Sequence, residues 1–533
     1  MRDTAAEVRD TAIRAYRKIR AGARRYEQRI RQHWRTATPQ QRQTARVTAG
    51  SAALGLVVAV TAVAATGPWD SGQRTAERSR AAAQDRDRGS GTHHTGAGRG
   101  RGGARVASEV LAGLNSEARP SHGPGAAGVP PPSASGLADT LEPLFKDGSF
   151  GPVRTASVVD AATGKQLYAV KPRTPATPAS TVKLATAVAA LSARGADHRI
   201  ETRAVRGDGD GEVVLVGGGD PTLSADDLDG LAGKTARTLR ARHTGKVFLG
   251  YDTSRYSGPV RHPGGASDNL APVSPLMVDE ARLGGGDGEG DGGDGPAHGP
   301  APRATDPAGD AAADFGKALE KHGIDVKGKP GKERAAGKAK ELAVHRSAPV
   351  SALVERMLTH SDNDIAEALA RQTALAAGDP ASFKGAGKAV KHRLGKLGLP
   401  LAGAHFADGS GLSRDDKVTT ALLTQLLVRA ADPGRPELRP VLTGLPVAHF
   451  SGTLGSRYGG DKGEPGAGLV RAKTGTLTGV NALAGTVVDA DGRLLVFAFV
   501  TTGTTDRTAA QNSLDRLAAA LANCGCRDSP SSG

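Results

Sequence analysis

The sequence predicts an α+β fold for the folded part of the chain. An alternating segment near residue 153, VRTASVVD, is followed by the turn sequence AATGK and a second short strand, QLYAV. Apolar residues then recur at helical spacing in several segments between residues 180 and 431. A β-hairpin around residues 490–492 (ADG) and a last helix complete the pattern. Strand pairs, helices, a hairpin and a final helix do not alternate as they do in a Rossmann fold, which is why α+β is favoured.

The predicted elements lie between residues 153 and 523. A Gly/Asp/Pro-rich loop without periodicity is predicted over 284–307. The elements are strands over 153–160, 166–170, 212–216 and 246–250, helices over 180–191, 350–358, 364–377 and 422–431, hairpin strands over 480–489 and 493–501, and a helix over 506–523.

The positive charge is concentrated at the N-terminus. The 533 residues carry a formal net charge of +15, and residues 1–46 hold 13 basic and four acidic residues, a net +9. A pI near 9.9 suggests nucleic acid, but charge outside the folded part does not support a binding surface for it. We therefore expect no nucleic-acid partner. Two cysteines are too few for a disulfide scaffold or a zinc cluster, and we expect no metal or cofactor.

An uncharged apolar segment over 47–68 (VTAGSAALGLVVAVTAVAATGP) follows the basic region. About 20 such residues suffice for one transmembrane helix. The flanking charges place the basic tail, 1–46, in the cytoplasm and the rest of the chain outside. A secretory signal peptide cleaved near residues 62–64 (AVA) is the alternative, and both interpretations export the C-terminal part.

Residues 69–135 are predicted to be a disordered linker. Gly, Ser, Pro and Arg dominate it, as in RDRGSGTHHTGAGRGRGG, and no apolar period persists. Such a segment lets an exported domain reach away from the membrane.

The first candidate catalytic element is Ser180-Thr181-Val182-Lys183. Positions i and i+3 of a helix share a face, so the Ser180 hydroxyl and the Lys183 amine can meet. A serine is a weak nucleophile unless a base lies close, and an amine in an apolar helix loses its proton more easily. By itself the Ser-x-x-Lys spacing is weak evidence for a catalytic pair, because a serine often lies at the start of a helix as its cap.

The second element, Ser-Asp-Asn, occurs twice. The copy at 267–269 lies in a glycine-rich stretch, whereas the copy at 361–363 leads directly into a helix. A catalytic hydroxyl needs a fixed position, so we select Ser361 as a proton relay and Asn363 as a group that holds the substrate amide. We interpret the copy at 267–269 as a coincidental match that is unrelated to the site.

The third element is Lys473-Thr474-Gly475-Thr476, just before the terminal hairpin. Lysine and threonine side chains on a strand can bind a carboxylate, and Gly475 lets substrate approach the backbone. The N–H of Thr476 can join that of Ser180 in an oxyanion hole.

The three motifs in this order resemble the D-alanyl-D-alanine carboxypeptidase/endopeptidase family, the low-molecular-mass class C, type-4 penicillin-binding proteins of peptidase family S13. Residues 217–223 (GGGDPTL), 408–414 (DGSGLSR) and 451–454 (SGTL) are also typical of that family. So is the long interval between the first and second motifs, which in this family holds an inserted domain.

The resemblance implies a serine β-lactamase/DD-peptidase-like fold, an antiparallel sheet with helices. The peptidase domain would cover 136–203 and 346–533, and the inserted domain 204–345. Ser180 would be acylated by peptidoglycan stem peptides ending in D-Ala-D-Ala, and β-lactams would inhibit it. Either lysine could be the general base.

Two alternatives use the same motifs. One is a catalytically weak penicillin sensor or wall-binding scaffold of the same fold, although retention of both lysines argues against it. The other is a β-lactamase, which has a shorter interval between its first two motifs.

Overall fold

The computed structural model describes residues 130–283, 298–459 and 466–526. Within those three ranges no helix combines the length and apolar character needed to cross a bilayer. The predicted tail and span (1–68), most of the linker and most of the 284–307 loop lie outside the described residues, so those predictions stay predictions.

The elements are numbered here in chain order. The strands are β1 (Val153–Asp160), β2 (Gln166–Val170), β3 (Arg199–Arg206), β4 (Glu212–Val216), β5 (Lys246–Asp252), β6 (Asp325–Lys332), β7 (Glu341–Pro349), β8 (Val470–Leu477), β9 (Val480–Val488) and β10 (Leu494–Thr502). The helices are α1 (Ala134–Phe145), α2 (Lys183–Arg194), α3 (Ala225–Arg240), α4 (Pro307–Lys321), α5 (Val350–His360), α6 (Asn363–Ala377), α7 (Phe383–Lys396), α8 (Thr420–Ala431), α9 (Pro440–Thr443) and α10 (Arg507–Ala522).

One sheet has the order β2-β1-β10-β9-β8 and is antiparallel throughout. Strands β9 and β10 are buried over nearly their whole length, which explains their continuous apolar runs. One core packs this sheet against α2, α5, α6, α7 and α8, and a second core packs it against α1 and α10. The α+β prediction with an antiparallel sheet and helices is confirmed.

The other sheet has the order β6-β5-β4-β3-β7 and is mixed. Strand β3 pairs antiparallel with β4 and β7, whereas β4–β5 and β5–β6 are parallel. Helices α3 and α4 supply apolar side chains to a separate core on it. Because β3 and β7 are neighbours, the chain leaves the part built on the first sheet and returns to it at adjacent positions.

Several elements were not predicted. Strand β6 (DVKGKPGK) is polar and mostly exposed at the sheet edge, so it carries no apolar alternation. Helix α7 (FKGAGKAVKHRLGK) contains three glycines, which weaken the helical pattern. Helix α3 begins with a capping box between Ser224 and Asp227, a signal that the sequence does contain. The unpredicted elements are α1, β3, α3, α4, β6, β7, α7 and α9.

The aromatic core between the first sheet and α1 should contribute strongly to stability. Phe499 is fully buried and its ring centroid lies 5.1 Å from that of Phe497. We expect Phe499→Ala to lower the free energy of unfolding by about 3–5 kcal/mol, because it removes a buried ring and leaves a cavity. Phe248→Ala is the control, since that ring is 58% exposed. Urea denaturation followed by circular dichroism measures both; equal midpoints would contradict the assignment of this core.

Candidate active site

Ser180 lies in a 3-10 turn over Ala179–Val182, and α2 begins at Lys183. The predicted helix over 180–191 thus begins with a 3-10 turn that continues into α2, and the left-handed backbone of Ala179 (φ 48°) bends the chain just before the serine. The turn is fixed by the Thr181 hydroxyl, which donates to the Pro178 carbonyl at 2.8 Å. Ser180 itself is half-buried, so its hydroxyl can be reached from outside.

Lys183 is fully buried and its amine faces three oxygens. Its Nζ donates to Ser180 Oγ at 3.1 Å, to Asn363 Oδ1 at 2.7 Å and to the Ser410 carbonyl at 2.6 Å. Burial lowers the pKa of Lys183 to about 8, against the opposing effect of nearby carboxylates led by Asp408. A lysine with this pKa can lose its proton near neutral pH, as a general base must.

The Ser410 carbonyl is held in place by Asp408. The Asp408 carboxylate accepts hydrogen bonds from the N–H groups of Ser410, Gly411 and Ser413 at 2.6–3.0 Å. Gly411 has φ 84°, and a Cβ there would overlap the backbone oxygen of Ala179. Asp408 therefore folds the 408–413 loop directly against the Ser180 turn.

Glu367 of α6 also binds the 408–413 loop. It is fully buried, and its Oε1 accepts from the N–H groups of Gly409 and Ser410, each at 3.0 Å. Its Oε2 pairs with Arg371 Nη1 at 2.9 Å. Burial raises the pKa of Glu367, while the Arg371 guanidinium opposes that rise.

His262 reaches the loop from the segment after β5. Its Nδ1 accepts from the Gly264 N–H at 3.0 Å, so its Nε2 carries the proton donated to Asp408 Oδ2 at 2.8 Å. Burial opposes charge on His262, but the contact with Asp408 outweighs it and raises the pKa of His262. No motif in the sequence points to His262, because its partner Asp408 lies 146 residues away.

Ser361 and Asn363 flank the junction of α5 and α6. Ser361 has a left-handed backbone (φ 60°) and ends α5, while the Asp362 side chain caps α6 by accepting from the Ile365 N–H at 3.0 Å. Asn363 joins the lysine through its Oδ1, and its Nδ2 donates to the Asn269 carbonyl at 2.8 Å. The second Ser-Asp-Asn copy thus contacts Lys183 through Asn363, and Ser361 precedes Asn363 by two residues.

The first copy has a different place. Ser267 is exposed, and its hydroxyl accepts from the backbone and side-chain nitrogens of Asn269 at 3.0 and 3.2 Å. This copy contacts the site through the backbone carbonyl of Asn269, which accepts a hydrogen bond from Asn363 Nδ2. The expectation that this copy is unrelated to the site is too simple, because its main chain supports Asn363.

Lys473 and Thr474 lie on β8, the edge strand of the first sheet. Lys473 is fully buried, and its Nζ donates to the Thr474 carbonyl at 2.9 Å. Burial, together with the charge of Lys183, lowers the pKa of Lys473 well below its usual range. The Thr474 hydroxyl meets the Thr453 hydroxyl at 2.8 Å, which gives residues 451–454 a place at the site.

Gly475 permits close packing of β8 on the Ser180 turn. A Cβ at this position would lie 2.6 Å from the Pro178 carbonyl oxygen. The sequence suggested that position 475 is a glycine because substrate approaches the backbone there. The structure adds a second reason, since the Ser180 turn leaves no room for a side chain. The next residue, Thr476, is partly exposed and accepts from Gln511 Nε2 at 3.0 Å.

The predicted site residues Ser180, Lys183, Asn363 and Lys473–Thr476 therefore come together from three separate chain segments. The D-Ala-D-Ala carboxypeptidase 3 (S13) family matches residues 137–284 and 297–524. The chain belongs to this family.

Characterised relatives agree with the S13 assignment over most of the chain. A carboxypeptidase of Mycobacterium tuberculosis is 37% identical over 439 residues, covering 78% of this chain and 91% of the relative. The D-alanyl-D-alanine carboxypeptidase of Actinomadura sp. is 29% identical over 441 residues, covering 69% of this chain and 81% of the relative.

A solved structure shares the fold. Penicillin-binding protein 4 of Haemophilus influenzae superposes with a TM-score of 0.60 at 25% identity, covering 73% of this chain and 99% of that one. The chain is therefore a serine-type D-Ala-D-Ala carboxypeptidase of the S13 family, and the predicted family is confirmed.

The lowered pKa of Lys183 makes acylation pH-dependent. Because the neutral amine is the form that can take the serine proton, we expect the acylation rate constant with a chromogenic cephalosporin to rise about tenfold per pH unit up to about pH 8. Stopped-flow measurements from pH 5.5 to 8 test this. A rate that stays constant over that range would contradict the assignment of Lys183 as the titrating base.

Proposed function

We propose that the protein hydrolyses the terminal D-Ala–D-Ala bond of peptidoglycan stem peptides through an acyl-enzyme on Ser180. The observation that carries the proposal is the fully buried Lys183 amine, 3.1 Å from the Ser180 hydroxyl and with a pKa of about 8. This arrangement supplies an activated serine without a histidine.

In the acylation step, neutral Lys183 takes the Ser180 proton while Oγ bonds to the carbonyl carbon between the two D-alanines. The N–H groups of Ser180 and Thr476 are proposed to stabilise the oxyanion. The C–N bond then breaks, and a proton passed through Ser361 converts the leaving nitrogen to the amine of free D-alanine. Asn363 orients the substrate amide and Lys183 together.

The terminal carboxylate of the substrate is proposed to bind beside Lys473, Thr474 and Thr476. Lys473 is buried with its pKa lowered, so an arriving carboxylate favours its charged form. Substrate binding and protonation of Lys473 would then be coupled. Water finally attacks the acyl-enzyme, which releases the shortened peptide and restores the Ser180 hydroxyl.

β-Lactams are proposed to acylate Ser180 in the same way and to leave slowly. The related Haemophilus influenzae protein has a solved complex with a β-lactam. We extend the proposal to cleavage of peptide crossbridges, because the same acyl group results when the leaving amine belongs to a neighbouring stem. No step uses a metal or cofactor.

We also propose that the enzyme acts outside the cytoplasm, attached by a single N-terminal helix over 47–68. The proposal rests on the uncharged apolar segment that follows a basic tail of net charge +9. The stem-peptide substrate is extracytoplasmic, which agrees with this orientation.

Three matched serine variants test the catalytic proposal. We expect Ser180→Ala to abolish both covalent labelling by fluorescent penicillin and D-alanine release from a D-Ala-D-Ala peptide. Ser361→Ala should lower D-alanine release by roughly a hundredfold or more, since it removes a proton relay. Ser267→Ala, in the first Ser-Asp-Asn copy, should leave release within about twofold of the unmodified protein.

Other results would support the alternatives. Rapid turnover of penicillin would indicate a β-lactamase, and labelling without D-alanine release would indicate a penicillin sensor. Loss of activity in Ser267→Ala with retention in Ser361→Ala would contradict the choice of the second copy.

Fractionation tests the anchor. Expressed with its full N-terminus, the protein should sediment with membranes and resist extraction by high salt, because the apolar segment is buried in lipid. Release by detergent alone supports the anchor, whereas a shortened protein found in the medium would support signal-peptide cleavage.

A further inference from the structure

Residues 279–281 form a strained turn in the part of the chain inserted between β3 and β7. Three successive non-glycine residues have left-handed backbones, with φ of 47°, 55° and 54°. Each such residue costs on the order of 1–2 kcal/mol. The turn is held by hydrogen bonds of 2.8 and 2.9 Å from the N–H groups of Asp279 and Glu280 to the carbonyls of Leu223 and Pro221. Strain that the surroundings maintain in this way often accompanies a functional site.

The turn places the Glu280 side chain beside the α5–α6 junction, where only 1% of the residue is exposed. Its carboxyl group lies with those of Asp362 and Asp364, and oxygens of all three lie within 4.8 Å of one another. Guanidinium groups from three elements face the cluster, namely Arg282 (2.9 Å from Glu280 Oε2), Arg356 (2.5 Å from Glu280 Oε1) and Arg303 (3.0 Å from Asp364 Oδ2). Because guanidinium groups already contact both carboxyl oxygens of Glu280 and one of Asp364, we assign no metal ion to this cluster.

Asp362 explains why Glu280 is needed. Its Oδ1 caps α6, but its Oδ2 is buried and has no hydrogen-bond partner among the direct contacts of the described residues. Burial and the Asp362 carboxylate raise the pKa of Glu280 to about 8. Glu280 therefore holds a proton at neutral pH and can donate it to Asp362 Oδ2, which would otherwise be left unsatisfied at a cost of about 1–3 kcal/mol.

We propose that Glu280 is a positioning residue of the peptidase: it binds Asp362 and so fixes the turn that presents Ser361 and Asn363 to Lys183. Asp362 is covalently between these two residues, and Asn363 Oδ1 lies 2.7 Å from Lys183 Nζ. A small rotation at Asp362 would move both. This inference rests on the proposed catalytic roles of Ser361 and Asn363, and it assigns the inserted segment a part in catalysis.

Two variants at one position separate a hydrogen-bond donor from a structural ion pair. Glu280→Gln keeps the length of the side chain and supplies an N–H donor, whereas Glu280→Met keeps the length but has neither a donor nor a carboxyl oxygen. We expect Glu280→Met to lower kcat for D-alanine release by roughly tenfold to a hundredfold through misplacement of Ser361, with KM changed less than about threefold. Glu280→Gln should restore kcat to within about threefold of the unmodified enzyme.

The pH profile provides a second readout. Above pH about 8 the unmodified enzyme loses the Glu280 proton, so kcat should fall there. Glu280→Gln cannot lose its donor and should show no such fall. The charged groups facing position 280 are the three arginines and the two aspartates named above, and none of these is changed by the substitution.

Asp252→Asn is the matched control. Asp252 is a buried carboxylate on β5 that accepts from the N–H groups of Ser254 and Ala335 at 2.7 and 2.9 Å. Its substitution should lower the melting temperature and leave kcat and the pH profile unchanged. All variants are measured as the full chain, with penicillin labelling of Ser180 giving the fraction of competent sites.

The outcomes are distinguishable. Glu280→Met with unchanged kcat per labelled site, or Glu280→Gln as impaired as Glu280→Met, would overturn the inference while leaving the proposed function intact. If the unmodified enzyme released no D-alanine, the proposed function itself would fail.

Discussion

The site depends on keeping one amine, that of Lys183, away from water. A buried lysine is costly unless its N–H groups are satisfied, and here three oxygens from three chain segments satisfy them. That requirement explains the surrounding structure. The Asp408 carboxylate and Glu367 fix the loop that supplies the Ser410 carbonyl, and the α5–α6 junction supplies Asn363. Burial then lowers the pKa of the lysine, so the interactions that stabilise the fold also prepare the base.

The segment between β3 and β7 also contributes to this site. Its backbone at Asn269 supports Asn363, His262 supports Asp408, and Glu280 lies against Asp362. Asn363 binds Lys183 directly, Asp362 precedes Asn363, and Asp408 accepts from the N–H of Ser410, whose carbonyl binds Lys183. We propose that the segment between β3 and β7 forms an outer layer of the active site. Its strained turn at residues 279–281 is consistent with that role, since an unconstrained segment would relax.

The sequence predicted the residues that belong to recognisable motifs, including the distant Asn363 and Lys473, and missed the residues that support them from outside those motifs. The spacing of Ser180 and Lys183 was sufficient, because a helical turn alone brings them together. Strands β9 and β10 were evident from their apolar runs, whereas β6 was not, because an exposed edge strand needs no apolar face. Ser410, Glu367 and Glu280 were missed because each acts through a partner from another part of the chain. A backbone carbonyl such as that of Ser410 leaves no signature in residue type at all.

The most direct test of the account is the titration of Lys183 itself. Heteronuclear NMR of the lysine side-chain amines, assigned with Lys183→Arg and Lys473→Arg variants, would follow the charge on each amine as a function of pH. The account predicts that Lys183 titrates with a pKa of about 8 in the free enzyme, with the pKa of Lys473 also lowered. A Lys183 pKa near the usual value of 10.5 would contradict the account, because the amine would then be charged at neutral pH and could not accept the Ser180 proton.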